Sequence, residues 1–185
     1  MKKPVEIEIK LPLESVTKGR ALLRKHGFKV FAPRVLEENL VLDSESRTLY
    51  NRGLLLRVRR AGKIVTCTSK GPESIGGPHK RREENEFQAS DFKAIMAVFE
   101  TIGFREAFRY EKYRTEFSRA GEHGHATLDE TPIGAFMELE GSAAWINRTA
   151  KLLGFPQATW ITLSYARLYS QWCEAKGITP TNMKF

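Results

Sequence analysis

From Val5 to Leu11, apolar and polar residues alternate without a break: Val5-Glu6-Ile7-Glu8-Ile9-Lys10-Leu11. Successive side chains of a β-strand point to opposite faces, so this period predicts a strand with its apolar residues on one side. The same period, less strictly kept, predicts strands over 37–43, 54–60, 63–69, 81–87, 110–117, 126–130 and 135–140. Helical spacing fills the intervals. Leu13, Val16, Leu22 and Leu23 form an apolar stripe over 13–26, with Gly27 as its stop. Phe92, Ile95, Met96, Phe99 and Ile102 form a second stripe, with Ser90 as N-cap and Gly103 as stop. Ser142 caps a third helix over 143–153, and 163–175 reads as the last. The glycine- and proline-bearing stretches 69–80 (Gly71, Pro72, Gly76, Gly77, Pro78) and 121–124 read as loops between strands. About eight strands with hairpin-length links predict an α+β fold, an antiparallel sheet or barrel with helices packed outside.

The polar faces of these strands carry formal charge where threonine or serine would serve. Aligned acids are Glu6, Glu8, Glu84, Glu86, Asp129, Glu138 and Glu140; aligned bases are Lys10, Arg57, Arg59, Lys70, Arg82, Lys112 and Arg114. A barrel whose apolar faces meet helices would gather these charges in a polar lumen. Paired carboxylates there repel one another unless a cation lies between them, and Glu-x-Glu oxygens suit hard Mg²⁺ or Mn²⁺. Clustered Arg and Lys likewise need an anion, and both suit phosphate oxygens. A divalent metal with several cations in one cavity describes a polyphosphate site.

In order along the chain, the motifs are Glu6-Ile7-Glu8-Ile9-Lys10, Leu56-Arg57-Val58-Arg59, Thr68-Ser69-Lys70, Arg82-Glu83-Glu84-Asn85-Glu86, Lys112-Tyr113-Arg114, Leu128-Asp129-Glu130-Thr131 and Glu138-Leu139-Glu140-Gly141, closed by Ser164-Tyr165. This series resembles the CYTH superfamily, the triphosphate tunnel metalloenzymes, over roughly Val5 to Leu168. The resemblance implies an eight-stranded antiparallel barrel forming a tunnel, with helices outside. It implies Mg²⁺ or Mn²⁺ held mainly by Glu6, Glu8 and Glu140, with Glu138 and Asp129 nearby. It implies that Lys10, Arg57, Arg59, Lys70 and Arg114 hold the triphosphate, joined by Lys112 and Arg82, with Lys10, Arg59 and Glu138 as catalytic groups. Glu84 and Glu86 would reach metal through water or balance the tunnel's charge.

Water attacking the terminal phosphorus would make the chain a triphosphatase for inorganic tripolyphosphate, thiamine triphosphate or a nucleoside triphosphate. A ribose 3′-hydroxyl attacking the α-phosphorus of ATP would make it a class IV adenylyl cyclase. Such cyclases resemble one another in a His-Phe pair shortly before Glu-x-Glu-x-Lys; here Met1-Lys2-Lys3-Pro4-Val5 stands there. That departure favours the triphosphatase, with the cyclase as the alternative. Some members also place a lysine just before Ser-Tyr, where this chain reads Ile161-Thr162-Leu163. Either Arg167 or Lys176 substitutes, or that phosphate contact is missing.

Composition narrows the rest. With 185 residues, 41% hydrophobic and 28% charged, the chain reads as one domain over 1–178 with a poorly structured tail, 179–185. No apolar run reaches the roughly 20 residues of a membrane span, and Met1 to Glu6 lacks a signal peptide's apolar segment. Two cysteines, Cys67 and Cys173, are too few for a disulfide framework and read as reduced thiols of a cytoplasmic protein. The net charge of +8 invites an anionic partner. A small triphosphate is expected, nucleic acid is not, and the chain reads as a monomer or homodimer. A non-catalytic basic module binding RNA or polyphosphate is the rival from another class. His123-Gly124-His125 reads as a solvated loop and Lys80-Arg81-Arg82 as a hairpin base. Trp145, Trp160 and Trp172 read as helix packing, with Trp160 also a candidate to line a nucleobase or thiamine pocket.

Overall fold

The structure, a computed structural model, describes residues 5–74 and 77–185, so Met1 to Pro4 and Gly76 of the sequence reading lie outside it. Eight strands are described: β1 (Val5–Leu13), β2 (Lys29–Ser44), β3 (Leu55–Ala61), β4 (Ile64–Lys70), β5 (Lys80–Ala89), β6 (Phe104–Ser118), β7 (His125–Thr131) and β8 (Gly134–Glu140). They close into one antiparallel barrel in the order β1-β5-β4-β3-β2-β6-β7-β8, the expected fold. Five helices accompany them: α1 (Val16–Lys25), α2 (Thr48–Asn51), α3 (Phe92–Thr101), α4 (Ala143–Leu152) and α5 (Tyr165–Lys176).

The barrel's outward face is its hydrophobic core. Ile9, Leu11, Phe117, Leu128, Met137 and Leu139 pack under Leu23 of α1 and Trp145, Ile146 and Ala150 of α4. Gly19 lets α1 approach: a Cβ there would stand 2.6 Å from Leu13 Cδ1 and 2.9 Å from Leu128 Cδ2. On another side α3 lays Phe92, Ile95, Met96 and Phe99 over Leu40, Leu42, Val58 and Val65. Burying such side chains is worth about 1.5–3 kcal/mol each, and it turns the charged faces of the same strands inward.

α5 closes the barrel differently. Its Tyr165, Tyr169 and Cys173 pack with Tyr110, Phe136 and Met183, and Tyr110 and Phe136 come from inward-facing strand positions. The helix therefore acts as a stopper.

The tail corrects an expectation. It is not poorly structured: Met183 is buried and forms a parallel bridge with Tyr110. The Glu111 N–H donates to Met183 O at 2.8 Å, the Met183 N–H to Arg109 O at 3.0 Å, and the Arg109 N–H to Asn182 Oδ1 at 2.8 Å. β7 pairs with β6 only over 113–118, so these groups of β6 would otherwise form an open edge.

Boundaries also move, and β6 begins at Phe104, well before residue 110. Pro12 and Leu13 continue β1 by pairing with Phe136 and Ala135, so α1 starts at Val16, capped by Ser15. Asp91 caps α3 in place of Ser90, accepting from the Ala94 N–H at 2.8 Å. β2 begins at Lys29, well before residue 37. Its first half is broken by register shifts between Val30 and Ala32 and between Ala32 and Val35, around Pro33, which has no N–H to donate. No helix among the described residues is long and apolar enough to cross a membrane.

Candidate functional site

Inside the barrel lies a cavity of about 290 Å³. Glu6, Glu8, Lys10, Arg57, Arg59, Lys70, Arg82, Glu84, Glu86, Lys112, Arg114, Glu138 and Glu140 line it. Alternation sends them all inward, and the register sets who meets whom. Asp129, the remaining aligned acid, stands behind this lining with no exposed surface.

On the wall made by β6, β7 and β8, Asp129 is saturated with donors. Arg114 gives it Nε at 2.8 Å and Nη2 at 2.6 Å, Lys112 Nζ donates at 2.8 Å, and the Tyr165 hydroxyl at 2.7 Å. Arg114 also pairs with Glu138. Burial and the Asp129 charge hold the Tyr165 phenol well above its ordinary pKa. Burial would raise the Glu138 carboxyl, but the charges of Lys10, Arg114 and Lys112 outweigh it and hold it well below the usual range.

The adjoining wall, made by β1, β5 and β4, is shared more thinly. Glu8 Oε1 receives Lys80 Nζ at 2.6 Å and Lys10 Nζ at 3.2 Å, while Lys10 also meets Glu138 at 3.1 Å. Burial favours a neutral Glu8, yet Lys10 and Lys80 prevail and keep its carboxyl low. Lys70 pairs with Glu6 and lies 3.1 Å from Glu84. Burial and the charges of Glu8 and Glu84 raise the Glu6 carboxyl against the pull of Lys70. Glu6 is thus a carboxylate pressed by its own kind.

Between the walls, Arg57 donates to Thr68 Oγ1 at 3.1 Å and to the Tyr110 hydroxyl at 3.5 Å, and Arg59 to Glu37 at 3.0 Å. Arg57 Nε and Arg59 Nε are both buried without a hydrogen-bond partner among the described residues. A buried guanidinium N–H without a partner is costly, and both arginines that carry one line the cavity. Arg82 differs: its guanidinium is held by the carbonyls of Gly71 at 2.6 Å and Gly53 at 2.7 Å.

As the side chains stand, no three His, Cys, Asp or Glu among the described residues are gathered to hold a metal ion. The lysines stand where a cation would. The donor set nonetheless fits a hard divalent ion: Glu6 and Glu8 share one face of β1, Glu8 is in register with Glu140 of β8, and all offer carboxylate oxygens. A dication would relieve the repulsion that raises Glu6.

Several lining residues escaped the sequence reading. Lys80 is not merely a hairpin base; it shares a face with Arg82, a signal the run of three cations concealed. His125 is not in a solvated loop but opens β7, 3.4 Å from Glu140, and its hydrogen bond to that carboxylate raises its pKa. Its alternation with Thr127 and Asp129 would have found it. Tyr110, Glu116 and Tyr165 also line the cavity, and Glu37 lies buried against Arg59 and Lys112. Arg167 and Lys176 are exposed on α5 and line nothing here. Trp160 lines a separate outer pocket of about 490 Å³ with Asn147, Lys151 and Phe155. Cys67 and Cys173 are free and buried.

Comparison with known proteins agrees with this geometry. The CYTH domain model matches residues 4–152. A Methanocaldococcus jannaschii protein named as a candidate adenylate cyclase is 31% identical over 150 residues, 80% of this chain and 83% of that one. The solved structure of a candidate adenylate cyclase from Vibrio parahaemolyticus superposes with a TM-score of 0.76 at 20% identity, covering 91% of this chain and 99% of that one. A candidate adenylyl cyclase from Hippeastrum, described as revealing a dominant triphosphatase activity, superposes with a TM-score of 0.62 at 16% identity over 95% and 97% of the two chains.

Proposed function

The chain belongs to the CYTH domain family, and from that premise we propose that it is a triphosphatase dependent on Mg²⁺ or Mn²⁺. Its substrate would be inorganic tripolyphosphate or an organic triphosphate, either thiamine triphosphate or a nucleoside triphosphate. The observation that carries this reading is the convergence of eight cations on one cavity interleaved with carboxylates, two of the arginines keeping an unanswered N–H.

In this reading Glu6, Glu8 and Glu140 would hold the metal, with Glu138 beside them and Glu84 and Glu86 balancing charge. Asp129, expected near the metal, instead has its oxygens taken by Arg114, Lys112 and Tyr165 and would orient those groups. A bound divalent ion supplies neutralisation of phosphate oxygens and of the charge developing on the transferred phosphoryl group. Lys10, Arg57, Arg59, Lys70 and Arg114 grip non-bridging oxygens, with Lys112 and Arg82 behind them. Lys10 and Arg59 stabilise charge at the reacting phosphoryl group, and Glu138 orients the attacking water. Water adds to the terminal phosphorus, the bond to the bridging oxygen breaks, and phosphate leaves the shortened chain. We place the protein in the cytoplasm, as a monomer or homodimer.

Adenylyl cyclase is the second reading, favoured by the name of the 31% identical relative. One experiment separates them. Incubated with ATP and Mn²⁺, and separately with tripolyphosphate, the protein is expected to release terminal phosphate. Cyclic AMP with diphosphate would overturn hydrolysis in favour of cyclisation. Salt-sensitive polyanion binding with no turnover under either metal would overturn both enzymatic readings.

A further inference from the structure

Lys80 and Arg82 stand two residues apart on β5, face the same cavity and are both buried. Their partners differ in kind. Arg82 is fixed by backbone carbonyls, which no ligand removes. Lys80 is held by Glu8 at 2.6 Å, and Glu8 is the carboxylate that the proposed triphosphatase would need for its metal.

We propose that Lys80 is an exchangeable counter-ion of Glu8, so that the divalent ion and the triphosphate bind together and neither binds well alone. The proposal deepens the triphosphatase reading and rests on it. A dication reaching Glu8 must displace an ammonium that is itself only 8% exposed. A buried ammonium that loses its carboxylate is strongly disfavoured unless another anion takes it. Lys10, the second cation on Glu8, keeps Glu138 at 3.1 Å when Glu8 is taken. Lys80 is released toward the cavity it lines, where a phosphate oxygen can accept its N–H bonds. The converse holds for a triphosphate arriving alone: drawing Lys80 away strips Glu8 of its nearer partner and leaves it only Lys10 at 3.2 Å, which it shares with Glu138. Each ligand therefore removes the penalty of the other, which is positive coupling between two sites through one side chain.

Calorimetric titration of Mn²⁺ alone into wild type, Lys80→Met and Arg82→Met tests this, repeated with a methylene-bridged triphosphate that cannot be hydrolysed. Lys80→Met is expected to bind Mn²⁺ alone on the order of tenfold more tightly than wild type. The tightening of Mn²⁺ by the analogue, large in wild type, is expected to shrink in the variant. Arg82→Met removes the same charge without freeing a carboxylate and is expected to change Mn²⁺ affinity much less. Lys80→Gln carries the same test if Lys80→Met does not fold. Equal Mn²⁺ affinity in wild type and Lys80 variants, or equal tightening in Lys80→Met and Arg82→Met, would overturn the exchange while hydrolysis stands. No binding of Mn²⁺ and analogue to wild type, even together, would overturn the triphosphatase reading and this proposal with it.

Discussion

Asp129 on β7 and Glu8 on β1 stand on either side of β8, and both are carboxylates buried among cations. Asp129 accepts four hydrogen bonds from Arg114, Lys112 and Tyr165, all between 2.6 and 2.8 Å. Glu8 accepts two, both at Oε1, from lysines at 2.6 and 3.2 Å. The lone pairs of Asp129 are filled by donors that hold a fixed fork; those of Glu8 are half open and held by flexible ammoniums. The wall that carries Asp129 is scaffold: it sets where Arg114 and Lys112 point. The wall that carries Glu8 is where partners can be exchanged. Equal charge and equal burial thus give opposite roles, and hydrogen-bond saturation tells them apart.

The largest expected effect tests the scaffold. Asp129→Asn takes the shared charge partner from Lys112 and Arg114, leaving Lys112 only Glu37 at 3.6 Å and Arg114 only Glu138, and breaking a buried pair from one side costs about 3–5 kcal/mol. Chemical denaturation would read this as a lowered midpoint at unchanged slope. A midpoint equal to wild type would mean that Asp129 anchors nothing and the two walls are alike.

Glu8→Gln strikes the other wall. The amide still accepts from Lys80 through its oxygen, so the fold is expected to survive. Turnover is expected to fall by about a hundredfold or more, the amide being a poor ligand for a hard cation. Wild-type turnover at saturating Mg²⁺ and Mn²⁺ would remove Glu8 from the metal site. Arg57→Ala sits between the walls. Losing a charge-assisted bond to phosphate is expected to weaken triphosphate binding by about 1.5–3 kcal/mol. An unchanged Michaelis constant for tripolyphosphate would exclude Arg57 from the phosphate grip.

How far this contrast could be foreseen depends on what alternation encodes. Period two assigns a face, and every aligned charge from Glu6 to Glu140 took the inward one. It falls silent where charges run consecutively: Glu37 and Glu38 both fit a strand, yet Glu37 meets Arg59 inside and Glu38 meets Arg60 outside. Lys80-Arg81-Arg82 hid Lys80 in the same way. Nor does any single strand reveal pairing register. That Glu8 lies opposite both Lys80 and Glu140 follows from β1 meeting β5 on one edge and β8 on the other, and no local pattern carries it. The stopper was less legible still. Met183 reaches back to Tyr110, remote from it along the chain, and nothing in Thr179-Pro180-Thr181-Asn182 announces a buried residue.

The smallest effect is also the one whose sign separates the walls most directly. Glu138 has its carboxyl pKa held below the unfolded value by Lys10 and Arg114 against burial. It therefore contributes stability that is present above the ordinary carboxyl range and lost as pH falls. Glu6 has its pKa raised by burial and by Glu8. It contributes stability present below the unfolded value and lost as pH rises through the folded one, so at neutral pH its ionised form is a liability. Glu138→Gln is expected to destabilise at pH 7 and to flatten the acid limb of the stability profile. Glu6→Gln is expected to gain slightly at pH 7 without added metal, since Lys70 keeps Glu84 at 3.1 Å. That gain fades on acidification and reverses when Mn²⁺ is added together with the methylene-bridged triphosphate, because wild type alone then profits from the extra carboxylate. Urea melts across pH 4 to 8, with and without metal and analogue, read both signs. A Glu6→Gln variant less stable than wild type at neutral pH without metal would place Glu6 with the scaffold and erase the distinction between the two walls.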